Sequence, residues 1–219
     1  MAFETMHTMT NLLKGREGHM ALKLGMSKAY DRLDWSFLVV VMTKLGFVKK
    51  WVDIIMRCVT LVSYSILING IPQNPFLPSR GIRQRDHLSP YWFILCVEVL
   101  TKLIQKAESR GAITGFPIGR SGLHMSHLFF TDDCLLFCKA NPLEWSRLLF
   151  SLETYEQGSG QRLNEDKTFI FFSKNVRNEA KDLNIVVAGI KSSQSYNKYL
   201  GLPAQIGRDV IKGFKSIID

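Results

Sequence analysis

Along this chain the spacing of apolar residues switches repeatedly between the period of a strand and the period of a helix, and the elements follow from those switches. After an irregular start, His19-Met-Ala-Leu-Lys-Leu24 reads as an apolar strand. Asp34 is a good N-cap for a helix from Trp35 to Leu45, ended by Gly46, with Leu38, Val41, Met42 and Leu45 on one face. A second helix from Lys50 to Thr60 sets Trp51, Ile54, Ile55 and Cys58 at helical spacing, with Asp53 and Arg57 paired on the outer side. The period then becomes two: Tyr64, Ile66 and Ile68 share a strand face, and Asn69-Gly70 signals a hairpin because both residues tolerate positive φ. Pro72 and Pro75 make the return arm an edge or irregular strand.

Ser89-Pro90 announces a helix to Glu108 that is apolar nearly all round from Tyr91 to Leu100 and is therefore expected to be central and buried. A short strand at 113–118 follows. The run Phe129-Phe-Thr-Asp-Asp-Cys-Leu-Leu-Phe137 is then a strand, a tight acidic turn and a second strand. Asn141-Pro142 opens a helix to Glu156 that closes at Gly158 and Gly160, Thr168 to Phe172 is a strand, and a short charged helix leads to Tyr199-Leu-Gly-Leu-Pro203. Helices mixed with hairpins give an α+β architecture with an antiparallel sheet.

Composition adds little to this at first. Hydrophobic residues make up 46% and charged residues 21%, ordinary globular usage, and no window approaches the apolar length needed to span a bilayer, so a soluble intracellular chain without a membrane partner is expected. The start lacks a cationic, apolar secretory leader. Charge is more informative: residues 1–110 hold 15 Lys+Arg against 8 Asp+Glu, a balance of +7, and residues 111–219 hold 13 against 11, a balance of +2. A cationic first half suits a polyanion, and it equally suits solvated lysine faces. Cys58, Cys96, Cys134 and Cys138 sit mostly in apolar contexts and read as reduced core residues.

Asp132 and Asp133 are adjacent anions at the rim of a sheet. Like charges so placed repel and shift each other's titration, and a divalent cation such as Mg²⁺ relieves them with hard oxygen ligands; a solvated turn fits the same residues. His124, His127, Cys134 and Cys138 superficially match zinc-ligand spacing, yet on a strand positions three apart face opposite ways, so ordinary core and turn residues are the better reading.

Five stretches read together carry more. They are Leu22-Lys-Leu-Gly-Met-Ser-Lys-Ala-Tyr-Asp31, Pro78-Ser-Arg-Gly-Ile-Arg-Gln-Arg-Asp-His-Leu-Ser-Pro90, Phe130-Thr-Asp-Asp133, Ser159-Gly-Gln-Arg-Leu-Asn-Glu-Asp-Lys167 and Tyr199-Leu-Gly-Leu-Pro203. In their order and spacing the chain resembles the reverse transcriptase domain of plant LINE-type (non-LTR) retrotransposons, truncated and partly degenerate. One motif is weak; five in order over about 180 residues are not.

The resemblance implies a right-hand polymerase palm with packed helices on its sheet, partial fingers and no complete thumb: residues 1–174 as palm with partial fingers, 175–219 as connection and start of an incomplete thumb. It implies two Mg²⁺ ions, an RNA template, a DNA primer and dNTPs as partners, and a nuclear place of action for an active element. In that scheme one ion activates the primer hydroxyl and the other steadies the leaving pyrophosphate. Asp132 and Asp133 match the paired catalytic, metal-holding aspartates, and Lys167 the lysine that protonates pyrophosphate. Tyr30 matches a steric gate against a ribose 2′-hydroxyl or is a core-facing ring, Gln84 lines the nucleotide pocket, and Arg80 and Arg83 face phosphates or solvent.

Three departures stand against activity. Gly25 replaces the family's first aspartate, leaving two anions to hold two dications; Asp31 and Asp34 are six and nine residues on and out of reach. Arg85 stands where the family has Gly, bringing a long cation or, at positive φ, strain. His87 replaces a Pro, and Thr131 for Ala is harmless. Three readings follow: a reverse transcriptase by ancestry, a binding remnant that no longer polymerises, and a relic without selected function. Gly25 and Arg85 favour the second over the first.

Overall fold

The structure, a computed structural model, describes residues 2–13, 15, 17–119, 122–130, 133–188, 198–199 and 202–203. In chain order the elements are α1 (Ala2–Thr10), β1 (His19–Gly25), α2 (Trp35–Lys44), α3 (Lys49–Thr60), β2 (Leu67–Ile68), β3 (Ile71–Pro72), α4 (Ser89–Ser109), β4 (Phe116–Ile118), β5 (Leu123–Met125), β6 (His127–Phe130), β7 (Asp133–Lys139), α5 (Pro142–Ser159), a 3₁₀ turn (Glu165–Lys167), β8 (Phe169–Phe172), α6 (Asn178–Ala188), β9 (Lys198–Tyr199) and β10 (Leu202–Pro203). They form two compact units. The first comprises Met1–Gly25, Leu103–Ser151 and Leu163–Asp219; the second comprises Met26–Lys102 and Leu152–Arg162.

The first unit is organised on an antiparallel sheet of order β6-β7-β1-β8. β1 is buried along its whole length between β7 and β8, which is why apolar residues fall on both its faces, with Lys23 the one cation among them. One sheet face, with Ala21, Leu135, Phe137 and Phe171, packs against Met6, Met9 and Phe116. The expected irregular start is thus a helix: Met6 and Met9, three apart, share a face of α1 and reach the sheet together. Glu144 fixes the opening of α5, its carboxylate accepting from the Thr114 and Lys139 N–H groups at 2.8 and 3.1 Å.

In the second unit Asp34 caps α2 as expected, accepting from the Ser36 and Phe37 N–H groups. Its carboxyl lies below the usual range, first because the Ser36 hydroxyl donates to it. Leu38, Val41 and Met42 are buried, whereas Leu45 ends the helix exposed. On α3 the expected inward face holds only at Ile55, which is buried with Val52, while Trp51 is 59% exposed and Ile54 and Cys58 are also exposed. α4 is likewise buried along one face only, through Phe93, Cys96, Val97 and Leu100, and leaves Tyr91 63% exposed. The Asn69-Gly70 hairpin forms with both residues at positive φ, 51° and 81°.

All four cysteines are free, and burial pushes the Cys96 thiol up to about 12. His124 and His127 lie on β5 and β6, strands of different sheets, and no cluster of three metal-ligating side chains occurs among the described residues. Among them, too, no helix is long and apolar enough to cross a membrane.

Candidate active site

The sheet register decides what stands beside what. β1 and β7 run antiparallel with Leu24 opposite Cys134 and Gly25 opposite Asp133, and Asp133 is also opposite Phe130 across the acidic hairpin. Gly25 therefore ends its strand beside the backbone of the second aspartate. Thr131 and Asp132 lie outside the described residues.

The 3₁₀ turn closes on the same glycine. The Gly25 carbonyl accepts from the Asn164 N–H at 2.8 Å, and Asn164 organises the turn behind it. Its carbonyl accepts from the Lys167 N–H at 3.0 Å and the Thr168 hydroxyl at 2.7 Å, and its side-chain oxygen from the Asp166 N–H at 3.1 Å. A methyl group built on Gly25 would sit 2.5 Å from Lys167 Cβ and 3.1 Å from the Lys167 carbonyl oxygen. Contacts that close are not made between real atoms, so the turn occupies the room a side chain at position 25 needs. The Lys167 side chain itself is exposed. Lys23, two residues earlier and on the face of β1 that Gly25 shares, is buried.

A second constellation is assembled within the other unit. Residues 28–35 and the arginine loop at 78–86 are joined by backbone bonds: Ile82 N–H to the Tyr30 carbonyl at 2.9 Å and Gly81 N–H to the Leu33 carbonyl at 2.7 Å. The Trp35 indole N–H donates to the Gly81 carbonyl. Gly81 has φ of +88°, and a Cβ there would lie 2.6 Å from the Asp31 carbonyl, so both conformation and space require glycine. Tyr30 is half-buried, its ring stacked on Phe93 at 5.1 Å between centroids. Gln84 Nε2 donates to Asp31 Oδ1 at 3.0 Å. Arg80 and Arg83 are exposed on the same loop, and Arg85 holds φ of +64°, a left-handed conformation that costs a non-glycine residue about 1 to 2 kcal/mol.

Within their own units, then, Asp133 and Lys167 converge on Gly25, and Tyr30, Gln84, Arg80 and Arg83 gather on one loop system. Two supporting residues escaped the sequence reading. Asn164 is one. Gln161, fully buried, accepts from the Tyr155 hydroxyl and donates to the Ala29 carbonyl at 2.8 Å, pinning the turn that carries Tyr30. Both sit inside a quoted motif, where an amide beside Gly160 and one ahead of Glu-Asp-Lys were the available signals.

The profile of the reverse transcriptase (RNA-dependent DNA polymerase) family matches residues 1–204. The chain belongs to the reverse transcriptase family. Among curated relatives, an uncharacterized mitochondrial protein of Arabidopsis thaliana is 48% identical over 67 residues, 31% of this chain and 55% of that protein. The retrovirus-related Pol polyprotein from type-2 retrotransposable element R2DM of Drosophila melanogaster is 29% identical over 147 residues, 67% of this chain and 13% of the polyprotein. This reverse transcriptase chain thus spans only part of each. Of solved structures, apo telomerase of Candida tropicalis, truncated from its C-terminal domain, superposes with a TM-score of 0.55 at 15% identity, over 78% of this chain and 34% of that one. Telomerase of the same yeast in complex with a fragment of telomeric RNA gives 0.59 at 12% identity, over 94% and 32%. At such identities the likeness establishes the fold, a polymerase palm-like α+β arrangement with an antiparallel sheet.

Proposed function

We propose that this reverse transcriptase chain derives from a plant LINE-type (non-LTR) retroelement, holds an RNA template and DNA primer, and no longer transfers nucleotides. Residues 1–174 serve as palm with elements of the fingers, and residues 175–219 as connection and start of the thumb. The Arabidopsis match supports the plant origin, and the Drosophila Pol match supports a retroelement. In the ancestral site Asp132 and Asp133 held metal, Lys167 served the pyrophosphate, Tyr30 and Gln84 met the incoming nucleotide, and Arg80 and Arg83 met phosphates.

The observation that carries the loss is at Gly25. It stands opposite Asp133 with no side-chain oxygen, its carbonyl is taken by Asn164, and Lys167 fills the space beyond it. Asp34 caps α2 and Asp31 accepts from Gln84, so both carboxylates already have partners of their own. Mg²⁺ requires near-octahedral oxygen donors, and this donor set does not fit a pair of them. Arg85, strained and cationic where the family has glycine, burdens the arginine loop within its own unit.

Binding survives because it asks less of geometry than catalysis does. The exposed Arg80, Arg83 and Arg85 lie in the cationic half of a chain of net charge +9, and phosphate contacts of that kind need charge more than registry. Fluorescence anisotropy with a labelled RNA/DNA hybrid tests this. Affinity is expected to fall steeply and log-linearly with salt, and Arg80→Ala/Arg83→Ala to weaken binding and flatten the slope by about 2. An affinity indifferent to salt, or a chain that does not melt cooperatively, would leave a relic without selected function.

A further inference from the structure

The hairpin of β2 and β3 is left open in an unusual way. From Cys58 to Ser79 the chain carries no Asp, Glu, Lys, Arg or His, although Arg57 and Arg80 flank it and the whole chain bears +9. Within that stretch Ile66, Leu67, Ile68, Ile71, Phe76 and Leu77 are all exposed. Neighbours along a strand face opposite ways, so exposure of Leu67 (67%) beside Ile66 and Ile68 means that neither face of the hairpin is covered.

The two edges differ. Leu67 is registered with Pro72 and Ile68 with Ile71, and the Gln73 N–H donates to the Ile66 carbonyl at 2.9 Å. Hydrogen-bonded and non-bonded pairs alternate in an antiparallel ladder. Ile66 and Ile68 therefore turn their backbone groups toward β3, and Leu67 turns its N–H and C=O outward. On the far side Pro72 occupies the outward position and has no N–H, and Pro75 follows it. Among the described residues no third strand joins this sheet. β2 is an open edge and β3 is a blunted one.

We infer that β2 pairs antiparallel with β2 of a second copy of this chain about a two-fold axis at Leu67. Each Leu67 N–H then donates to the carbonyl of the same residue in the other copy, and Ile66 comes opposite Ile68 to form an apolar cross-strand pair. The occupant is a second copy for two reasons. The uncharged stretch is where two chains of like charge +9 can approach without opposing cations. Strand order β3-β2-β2-β3 also puts a proline-bearing strand at both outer edges, so the assembly closes at two and does not grow. A nucleic acid finds no cation between Arg57 and Arg80, and a lipid surface offers the Leu67 backbone nothing to bond.

Sedimentation velocity of the full chain from about 1 to 100 μM, the range of standard-sized interfaces of modest affinity, tests the proposal. A reversible monomer–dimer equilibrium is expected. Leu67→Pro removes the outward N–H, which β3 does not use, together with the leucine side chain, and Leu67→Lys sets two cations against each other on the axis. Each should raise the dimer dissociation constant at least about tenfold, Leu67→Pro through the loss of two symmetric hydrogen bonds and Leu67→Lys through like charges set directly opposite, with an unchanged melting temperature for the dilute monomer. A dimer indifferent to both variants, or species larger than a dimer, would overturn it. So would a chain monomeric throughout the range, and flotation of that monomer with phosphatidylcholine vesicles would reassign the hairpin to lipid.

Discussion

The strand at the centre of the sheet and the hairpin that follows α3 are drawn from equally apolar sequence and meet opposite fates. β1 is buried on both sides along its length, flanked by β7 and β8, and its register is fixed because a slip of one residue would turn every side chain to the wrong face. β2 and β3 pair over two residues each with both faces exposed. An apolar run shows that a segment must be covered, and only its neighbours decide whether the cover comes from the same chain. Gly25 belongs to the first kind of region, which is why a side chain there would meet its neighbours at once.

The contrast is sharpest in the core. Phe137→Ala, deep in the cluster formed with Met6, Met9 and Phe171, is expected to cost about 3 to 5 kcal/mol in denaturant unfolding. Trp51→Ala, on the exposed side of α3, should move stability by no more than about 0.5 kcal/mol despite removing a larger side chain. Similar losses at the two positions would erase the distinction.

Gly25→Ala comes next. Position 25 needs no positive φ, so alanine would ordinarily be tolerated in a strand; here its methyl meets Lys167 Cβ at 2.5 Å. Forcing the turn aside should cost about 1 to 3 kcal/mol. A neutral or stabilising effect would show that the turn yields freely and that the space for a carboxylate persists.

Arg85→Gly should act in the other direction. Relieving the left-handed φ of 64° is expected to stabilise the chain by about 1 kcal/mol, visible as a raised denaturant midpoint at unchanged slope.

The smallest effect is a pH dependence at His19. Burial, reinforced by Lys139, holds its imidazole below the ordinary 6.5, and its Nδ1 has no hydrogen-bond partner. The folded chain therefore binds this proton more weakly than the unfolded one. Its contribution to stability is full above pH 6.5 and is lost as pH falls through the folded value. Unfolding free energy followed from pH 7.5 to 5 should decline more steeply in the unmodified chain than in His19→Gln.

Much of this was legible beforehand, and the reasons are local. The Asp34 cap, the Asn69-Gly70 turn and the strand from His19 are set by residues that do their work within a few positions. The neighbourhood of Gly25 and Asp133 was legible only through the family resemblance, which sets Gly25 at the place of the first aspartate; the strand register puts the two opposite each other. What failed was the face of α3 and the burial of α4, where period identifies a stripe but not which stripe finds a neighbour: Val52 and Ile55 did, and Trp51, Ile54 and Tyr91 did not. The helix at the start was missed because two methionines three apart make a short stripe. Asn164 and Gln161 were missed because an amide's partners lie elsewhere in the chain, in Gly25 and Ala29.

The proposed loss of chemistry at Gly25 is tested most directly by primer extension on an RNA template with Mg²⁺, comparing the unmodified chain with Asp132→Ala/Asp133→Ala. The two are expected to be indistinguishable, with no template-dependent incorporation by either. Synthesis by the unmodified chain that vanishes when both aspartates are removed would contradict it.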